Sequence, residues 1–513
     1  MTTVLILLMA PVVAGLVSLG LRSSRALHLV NLSTIITIGS AQSLLTLRLF
    51  AEGPFLLFNG WIAFDALSAF ILIIVTGIGL TSSFYSWSYF DRHLQKGDIT
   101  PIRLSRYFFL FHLFMFTMIL AILANNLGIL WVAIEGTTLA TTFMINFYRR
   151  NTSLEAGWKY FILCSMGIAL ALFGTVLMFL SSVRTAGDVG AALNVSSLIQ
   201  MWRQLDPHIV RLSFLFILIG YGTKVGLFPM HTWMPEAYSE APAPVSAMLA
   251  GVLETVVFYA ILRFKTIVDA VLPDGYAGHL LMAFGLVSFL VAAAFILFQK
   301  DFKRLFAYSS VEHMGIAAMG FGAGGVIGTF GALFHLFNHA IAKSLGFFAS
   351  GNIQLQFGTR NIDQVSGLIR NRPVTATALL ISGLALVGMP PFSLFVSEFM
   401  ILSALAKKAY QSGTLHFGQF FSVTLSDDLR NLILVTAFLL VSVTVFGGFM
   451  YRILKMLQGR REESGTSVRE WGADVFPILL SVAGVVLSGL FIPRSLKTLM
   501  DQAVNILTEL SRG

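Results

Sequence analysis

Long apolar runs separated by short polar stretches cover this chain from end to end. Fourteen can be marked, at 3–21, 28–50, 62–85, 108–124, 126–148, 158–182, 211–229, 243–262, 278–298, 304–321, 326–350, 374–405, 431–451 and 474–492. A helix needs about 20 residues to cross about 30 Å of hydrocarbon, and nearly every run approaches or exceeds that length. The pattern predicts an all-α polytopic membrane protein of about 14 transmembrane helices, with no room for a large soluble domain. The first run has no basic segment before it and is followed by Arg22 and Arg25, which predicts a first span rather than a cleaved signal peptide.

Two runs are interrupted in related ways. The seventh ends in Lys224-Val-Gly-Leu-Phe-Pro-Met-His-Thr-Trp-Met-Pro235, and the twelfth contains Gly388-Met-Pro-Pro-Phe-Ser-Leu-Phe-Val-Ser-Glu398. Proline removes a backbone donor and clashes with the preceding turn, so both helices are expected to break there. Freed carbonyls survive at membrane depth only inside protein or facing a wet cavity. Breaks at corresponding places in two halves predict inverted repeats with an ion site between them. The expected organisation is a three-helix segment over 1–107, a first five-helix repeat over 108–264 and a second over 277–452. A cytoplasmic loop and C-terminal helix follow over 453–513. The 86–107 stretch reads as interfacial, with Trp and Tyr at headgroup depth.

Composition agrees with a bilayer protein: 56% of the 513 residues are hydrophobic and 12% charged. The net charge of +9 is spread among short loops with no basic domain, which argues against nucleic acid. Lys and Arg favour the odd-numbered loops, so those are expected in the cytoplasm with both termini outside. The single cysteine, Cys164, lies in an apolar run. This excludes a disulfide framework and iron–sulfur ligation by this chain alone.

A few ionisable groups do not sit in loops. A charge at bilayer depth costs about 3 kcal/mol or more, so it is rare unless it pairs, binds or carries ions. Lys224 and Lys343 stand inside apolar runs, and Glu135 lies near the middle of the fifth. Glu135 reads either as a neutral acid bonded to Thr138 or as the charge partner of Lys224. Burial weakens a lysine's hold on its proton and a nearby carboxylate strengthens it, so a Lys–Glu pair is a sensible switch. The plainer reading of Lys224 is snorkelling to the interface. His335, His339 and Lys343 recur at i, i+4 and i+8 and line one helical face. Imidazole titrates near neutrality, which suits a proton relay. Zinc is disfavoured because no third ligand is evident in the sequence. Glu398 follows the second proline break and would end the line. Asp301 reads as a helix cap and ion-pair partner. Glu312 and His313 lie deeper in the same run, and Lys159 sits near a span end, as does Asp65.

Lys224…Phe-Pro-Met-His-Thr-Trp-Met-Pro-Glu-Ala-Tyr-Ser-Glu-Ala-Pro-Ala-Pro-Val-Ser-Ala-Met248, Asp301-Phe-Lys-Arg-Leu-Phe-Ala-Tyr-Ser-Ser310 and Gly388-Met-Pro-Pro-Phe392…Ser397-Glu398 occur in that order. Together they resemble the antiporter-like membrane subunits of respiratory complex I, shared with Mrp-type antiporters and membrane-bound hydrogenases. Val-Glu-His-Met-Gly, the short loops and the length look most like the hydrogenase-4 component F type. The resemblance covers roughly 60–450 and implies fourteen helices with two inverted repeats, each holding a proton half-channel. It implies that Glu135 and Lys224 are the intake-side pair, that His335, His339 and Lys343 form the central axis, and that Glu398 is the exit-side residue. Many relatives carry a lysine or histidine in the eighth span where this chain has Ala250 and then Leu253-Glu254-Thr255-Val256. The bridge between halves then falls to Glu254, to water or to the eleventh helix, or else the path is incomplete.

The resemblance further implies a proton-translocating subunit of a redox-driven complex, such as a group 4 hydrogenase, formate hydrogenlyase or NADH:quinone oxidoreductase-like enzyme. It would sit in a bacterial or archaeal inner membrane beside other membrane-arm subunits and a peripheral electron-transfer arm. Iron–sulfur clusters and a nickel–iron centre or flavin are expected only in those partners, and no cofactor in this chain. The alternatives are an Mrp-type Na⁺/H⁺ antiporter subunit, an energy-coupling subunit for inorganic carbon uptake, and a scaffold.

Overall fold

The computed structural model describes residues 1–183, 190–412, 427–459 and 475–508, with 415–416, 422–423 and 470. Most of the charged loop expected at 453–473, and much of the 409–430 connection, lie outside the described residues.

Six helices open the chain: α1 (Thr2–Gly20), α2 (Ser24–Glu52), α3 (Ala66–Gln95), α4 (Pro101–Leu123), α5 (Leu127–Ile145) and α6 (Asn151–Ser182). Between α2 and α3 runs a hairpin of β1 (Phe55–Leu57) and β2 (Ile62–Phe64), antiparallel with Phe55 opposite Phe64. Next come α7 (Pro207–Val225), α8 (Met234–Glu240), α9 (Ala243–Val271), α10 (Tyr276–Ile296), α11 (Phe302–Ala323) and α12 (Gly325–Phe357). The remainder is α13 (Pro373–Leu386), α14 (Ser393–Ser412), α15 (Asp427–Leu457), α16 (Val475–Leu490) and α17 (Arg494–Thr508).

Among the described residues eleven helices are long and apolar enough to cross a bilayer, or twelve if α16 and α17, bent by 70°, form one span. Two of the fourteen predicted runs fall outside that set for visible reasons. Lys303, Arg304 and Glu312 make α11 more polar than its neighbours. The twelfth run is divided, with α13 only 14 residues long. The seventh run also stops, at Val225 with Gly226 left-handed, before a short 3₁₀ turn over Met230–Trp233 and then α8. Both breaks carry a cis X–Pro peptide, Phe228–Pro229 and Pro390–Pro391.

Most of the stretch expected to lie at the interface, 86–107, is helical. α3 runs to Gln95 and α4 starts at Pro101, so both helices extend past their apolar sections. Thr100 caps α4, and Pro101 occupies its first turn, where a missing N–H costs nothing. α17 was not foreseen. Its Leu499, Met500, Ala503, Val504 and Leu507 are buried against α3 and α12, while Arg494, Lys497, Asp501 and Asn505 face outward.

α9 is buried along the whole of its apolar window, and α3 and α12 mostly so. Close helix approach in membranes needs small residues at the crossing. At the α10–α11 contact a Cβ on Gly315 would stand 2.7 Å from the Gly285 carbonyl oxygen. The packed centre is therefore where polar side chains escape lipid, and the titratable groups gather there.

Candidate functional site

Lys224 lies in the last turn of α7, directly before the break. Its ammonium is fully buried and donates to the Ile134 carbonyl at 2.7 Å, to Thr137 Oγ1 at 2.5 Å and to Thr138 Oγ1 at 2.6 Å. An ammonium has three protons, and all three are used. Trp233 Nε1, beyond the break, donates to the Thr223 carbonyl at 2.7 Å and so occupies an acceptor the interrupted helix would leave free.

Glu135 does not touch Lys224. Its Oε2 accepts from Thr138 Oγ1 and its Oε1 from Ser165 Oγ, each at 3.1 Å, and it is half-buried. Thr138 therefore stands between the two charges, accepting from the lysine and donating to the acid. From this pocket hydroxyls continue inward. Thr141 Oγ1 and Tyr160 OH are 2.7 Å apart, Tyr160 is an electrostatic neighbour of Tyr238, and Tyr238 OH donates to Glu254 Oε1 at 2.5 Å.

Glu254 follows a π-helical stretch, Leu249–Leu253, in the middle of α9. Such bulges re-aim side chains and recur at functional sites. Ser310 also lies beside this buried carboxylate. Glu254 and Glu312 are acids near enough for their charge to act on Lys343 without pairing with it. Lys343 is buried on α12, donates to the Phe306 carbonyl at 2.6 Å and stands 5.7 Å from the Phe306 ring centroid.

Two turns away on α12, His335 Nε2 lies 3.1 Å from His313 Nδ1, and His335 Nδ1 lies 3.0 Å from Ser397 Oγ. His339 packs against His313 with ring centroids 5.1 Å apart, and neither of its nitrogens has a protein partner. Glu398 Oε1 is 4.0 Å from His313 Nδ1. Gly388 makes room for that carboxylate: its φ is +64° and a Cβ there would collide with Glu398. The zinc reading rested on His335 and His339, but the fold instead gathers His335 with His313 and Glu398 and leaves His339 out of the cluster. Donor atoms of His313, His335 and Glu398 all lie within 4.8 Å of one another.

The remaining candidates lie apart from this line. Lys159 is on the surface, 2.7 Å from Glu155 and 2.9 Å from Glu236. Asp301 caps α11, accepting from the backbone N–H of Lys303 and of Arg304, and sits 3.4 Å from Arg360. Sequence reasoning missed Thr137, Ser165, Tyr160, Tyr238 and Ser397 as members of the line, because hydroxyls in apolar helices usually bond their own preceding turn. Ser397 stands beside Glu398 in the quoted motif, and that adjacency was its only signal.

The family described as NADH:quinone oxidoreductase/Mrp antiporter, TM, matches residues 124–426. The "Hydrogenase-4 component F homolog" of Methylacidiphilum infernorum is 45% identical over 340 residues, 66% of this chain and 71% of that protein. "Hydrogenase-4 component B" of Escherichia coli is 30% identical over 355 residues, 66% of this chain but only 50% of that longer protein. In fold, the chain is similar to one from the membrane-bound sulfane sulfur reductase, an archaeal respiratory membrane complex. The TM-score is 0.83 at 22% identity, covering 100% of this chain and 99% of the other.

Proposed function

This chain belongs to the NADH:quinone oxidoreductase/Mrp antiporter family of membrane proteins, and from that premise we propose that it carries protons through the bilayer along the line Glu135, Lys224, Glu254, Lys343, His339, His335 and Glu398. Glu312 and His313 are part of that line, while Lys159 and Asp301 are structural. One observation carries the reading. Two lysines are fully buried at bilayer depth, and among the described residues neither has a carboxylate within ion-pair distance. A lysine kept only for structure would be expected to be paired. Neutral oxygens around an ammonium instead suit a group that gives up its proton and takes another.

The finer organisation follows from the same reading. Fourteen spans arise if α11, the divided α13–α14 unit and α16 are each counted as crossing. The two broken spans then stand five apart, which suits inverted five-helix repeats over 108–264 and 277–452, each with one half-channel. Odd-numbered loops face the cytoplasm of a bacterial or archaeal cell, and both termini lie outside. The redox-driven complex around it resembles a group 4 hydrogenase or formate hydrogenlyase, as the hydrogenase-4 relatives suggest. Its metal centres or flavin belong to a peripheral arm. The chain itself conducts protons and holds no electron carrier.

The test is proton flux in vesicles containing the intact complex, driven by an imposed potassium diffusion potential. Lys224→Ala and Lys343→Ala are expected to abolish flux with assembly unchanged. Wild-type flux in both variants would leave the chain a scaffold. Loss of sodium rather than proton flux would favour the antiporter alternative.

A further inference from the structure

A second chain of titratable groups lies outside the line above. On α3, Tyr85, Tyr89 and His93 recur at i, i+4 and i+8, the spacing also shown by His335, His339 and Lys343 on α12. Asp98, half exposed just beyond α3, holds its Oδ2 2.9 Å from His93 Nδ1. His93 Nε2 is 3.2 Å from the hydroxyl of Tyr148, in the connection after α5. Tyr148 OH is in turn 2.6 Å from Tyr89 OH, which is buried. Carboxylate, imidazole and two phenols thus form an unbroken hydrogen-bonded row from solvent into the protein.

The row points toward the central lysine. Tyr89 and Tyr85 have ring centroids 5.6 Å apart. Tyr85 OH donates to the Phe348 carbonyl at 2.9 Å and lies 3.1 Å from Asn352 Oδ1, both on α12. Phe348 is five residues from Lys343, about 7.5 Å of helix rise. Ser382 Oγ donates to the Ala342 carbonyl and would stand 2.6 Å from a Cβ on Gly346, which places another hydroxyl beside that stretch. Water bridging Tyr89 to Tyr85, and Tyr85 to Lys343, would complete the path.

We infer that Asp98, His93, Tyr148 and Tyr89 form a second proton intake, serving Lys343 from the face of the odd-numbered loops without passing Lys224. The inference rests on the proton-carrying reading above. The hop is balanced at each member. His93 Nδ1 takes a proton from the Asp98 carboxyl as Nε2 gives its own to the Tyr148 oxygen. Tyr148 passes its hydroxyl proton to Tyr89 as Tyr89 releases its own to the water bridging to Tyr85, and each group then rotates or exchanges tautomer to reset. Mutual satisfaction of buried phenols needs only the Tyr148–Tyr89 bond. It does not need an imidazole and an exposed carboxylate beyond it, and imidazole is the one side chain that exchanges protons near neutrality without special tuning.

The experiment uses the intact complex in vesicles under an imposed potassium diffusion potential. Tyr148→Phe and Tyr89→Phe keep the ring contacts with His93, Arg150 and Tyr85 and remove only the hydroxyls. Each is expected to lower proton flux about tenfold or more, in the range general acid–base groups supply. His93→Ala should fall similarly and recover when imidazole is added, a rescue that a purely structural role would not produce. If both phenylalanine variants keep flux within about twofold of wild type, and imidazole changes nothing, while Lys343→Ala is dead, the intake is refuted and the main reading stands. If Lys343→Ala itself conducts like wild type, both fall.

Discussion

Among the described residues, Thr138 is the one side chain bonded to both Lys224 and Glu135. Thr138→Val keeps the shape and deletes the bridge. The variant loses a bond to an ammonium at 2.6 Å and one to a carboxylate at 3.1 Å, while Lys224 retains the Ile134 carbonyl and Thr137. A hydrogen bond to a charged group is worth about 1.5–3 kcal/mol. At 1.4 kcal/mol per tenfold, losing the one bond that bridges to Glu135 should lower proton flux by about 10- to 150-fold if that bond is used in the rate-limiting transfer. Thr137→Val removes an equivalent bond to Lys224 but leaves Glu135 untouched, so the difference between the two variants isolates the bridge. The sharper measurement is a double-mutant cycle with Glu135→Gln, read as vesicle proton flux with assembly checked by size-exclusion chromatography. Coupled neighbours give interaction energies of about 0.5–3 kcal/mol. The effect of Thr138→Val should therefore shrink when Glu135 is already uncharged. Strict additivity would mean that Glu135 acts on Lys224 by another route, or not at all.

Three further outcomes follow from particular contacts. Tyr238→Phe removes the hydroxyl that donates to the buried Glu254 carboxylate, so flux should drop about tenfold or more with assembly intact. Gly388→Ala should cost about 1–2 kcal/mol for its left-handed backbone and also displace Glu398; combining it with Glu398→Asp should restore part of the flux, and no restoration would place the damage elsewhere. Burial alone would raise the carboxyl of Asp65, but Arg263, 2.7 Å away, overrides it and holds the group below its ordinary range. A depressed carboxyl stabilises the fold above its unfolded value near ~3.9, and that contribution is lost as pH falls through the lower folded value. Thermal unfolding of the detergent-solubilised complex should therefore lose less stability to acid in Asp65→Asn, which starts about 3–5 kcal/mol weaker at neutral pH; equal acid sensitivity would remove the pair from the stability account.

Much of this was legible in residues. The apolar runs located most helices because crossing hydrocarbon imposes a length, and the prolines located both breaks because a missing donor ends the ladder. The buried lysines and the α12 histidines were found because charge in an apolar run has few cheap explanations. What stayed hidden was pairing across elements. His313 against His335, and Tyr238 against Glu254, depend on which helices cross and at what depth, and a hydropathy pattern does not encode depth. The α3 row was hidden differently. Tyr and His at a span end read as interfacial anchoring, and only the fold brings Tyr148 up to complete them. Amphipathic α17 was passed over because its apolar stripe is too narrow to resemble a span.

The two halves of the line differ in one respect that bears on how it works. Around Lys224 every ammonium proton has an acceptor. Around Lys343, among the described residues, several buried polar atoms have no protein partner: Glu312 Oε2, both nitrogens of His339 and the Ser309 hydroxyl. Each such atom costs about 1–3 kcal/mol if dry, so a cluster of them is tolerable only where water can enter. Lys224 is thus built as a closed switch that must break bonds to release its proton, and the α9–α11–α12 region as a hydrated passage. On that argument the controlled step lies at Lys224. Conformational change near Gly226 would act on flux by loosening the three bonds to Lys224, while the histidine row beyond conducts at whatever rate it is supplied.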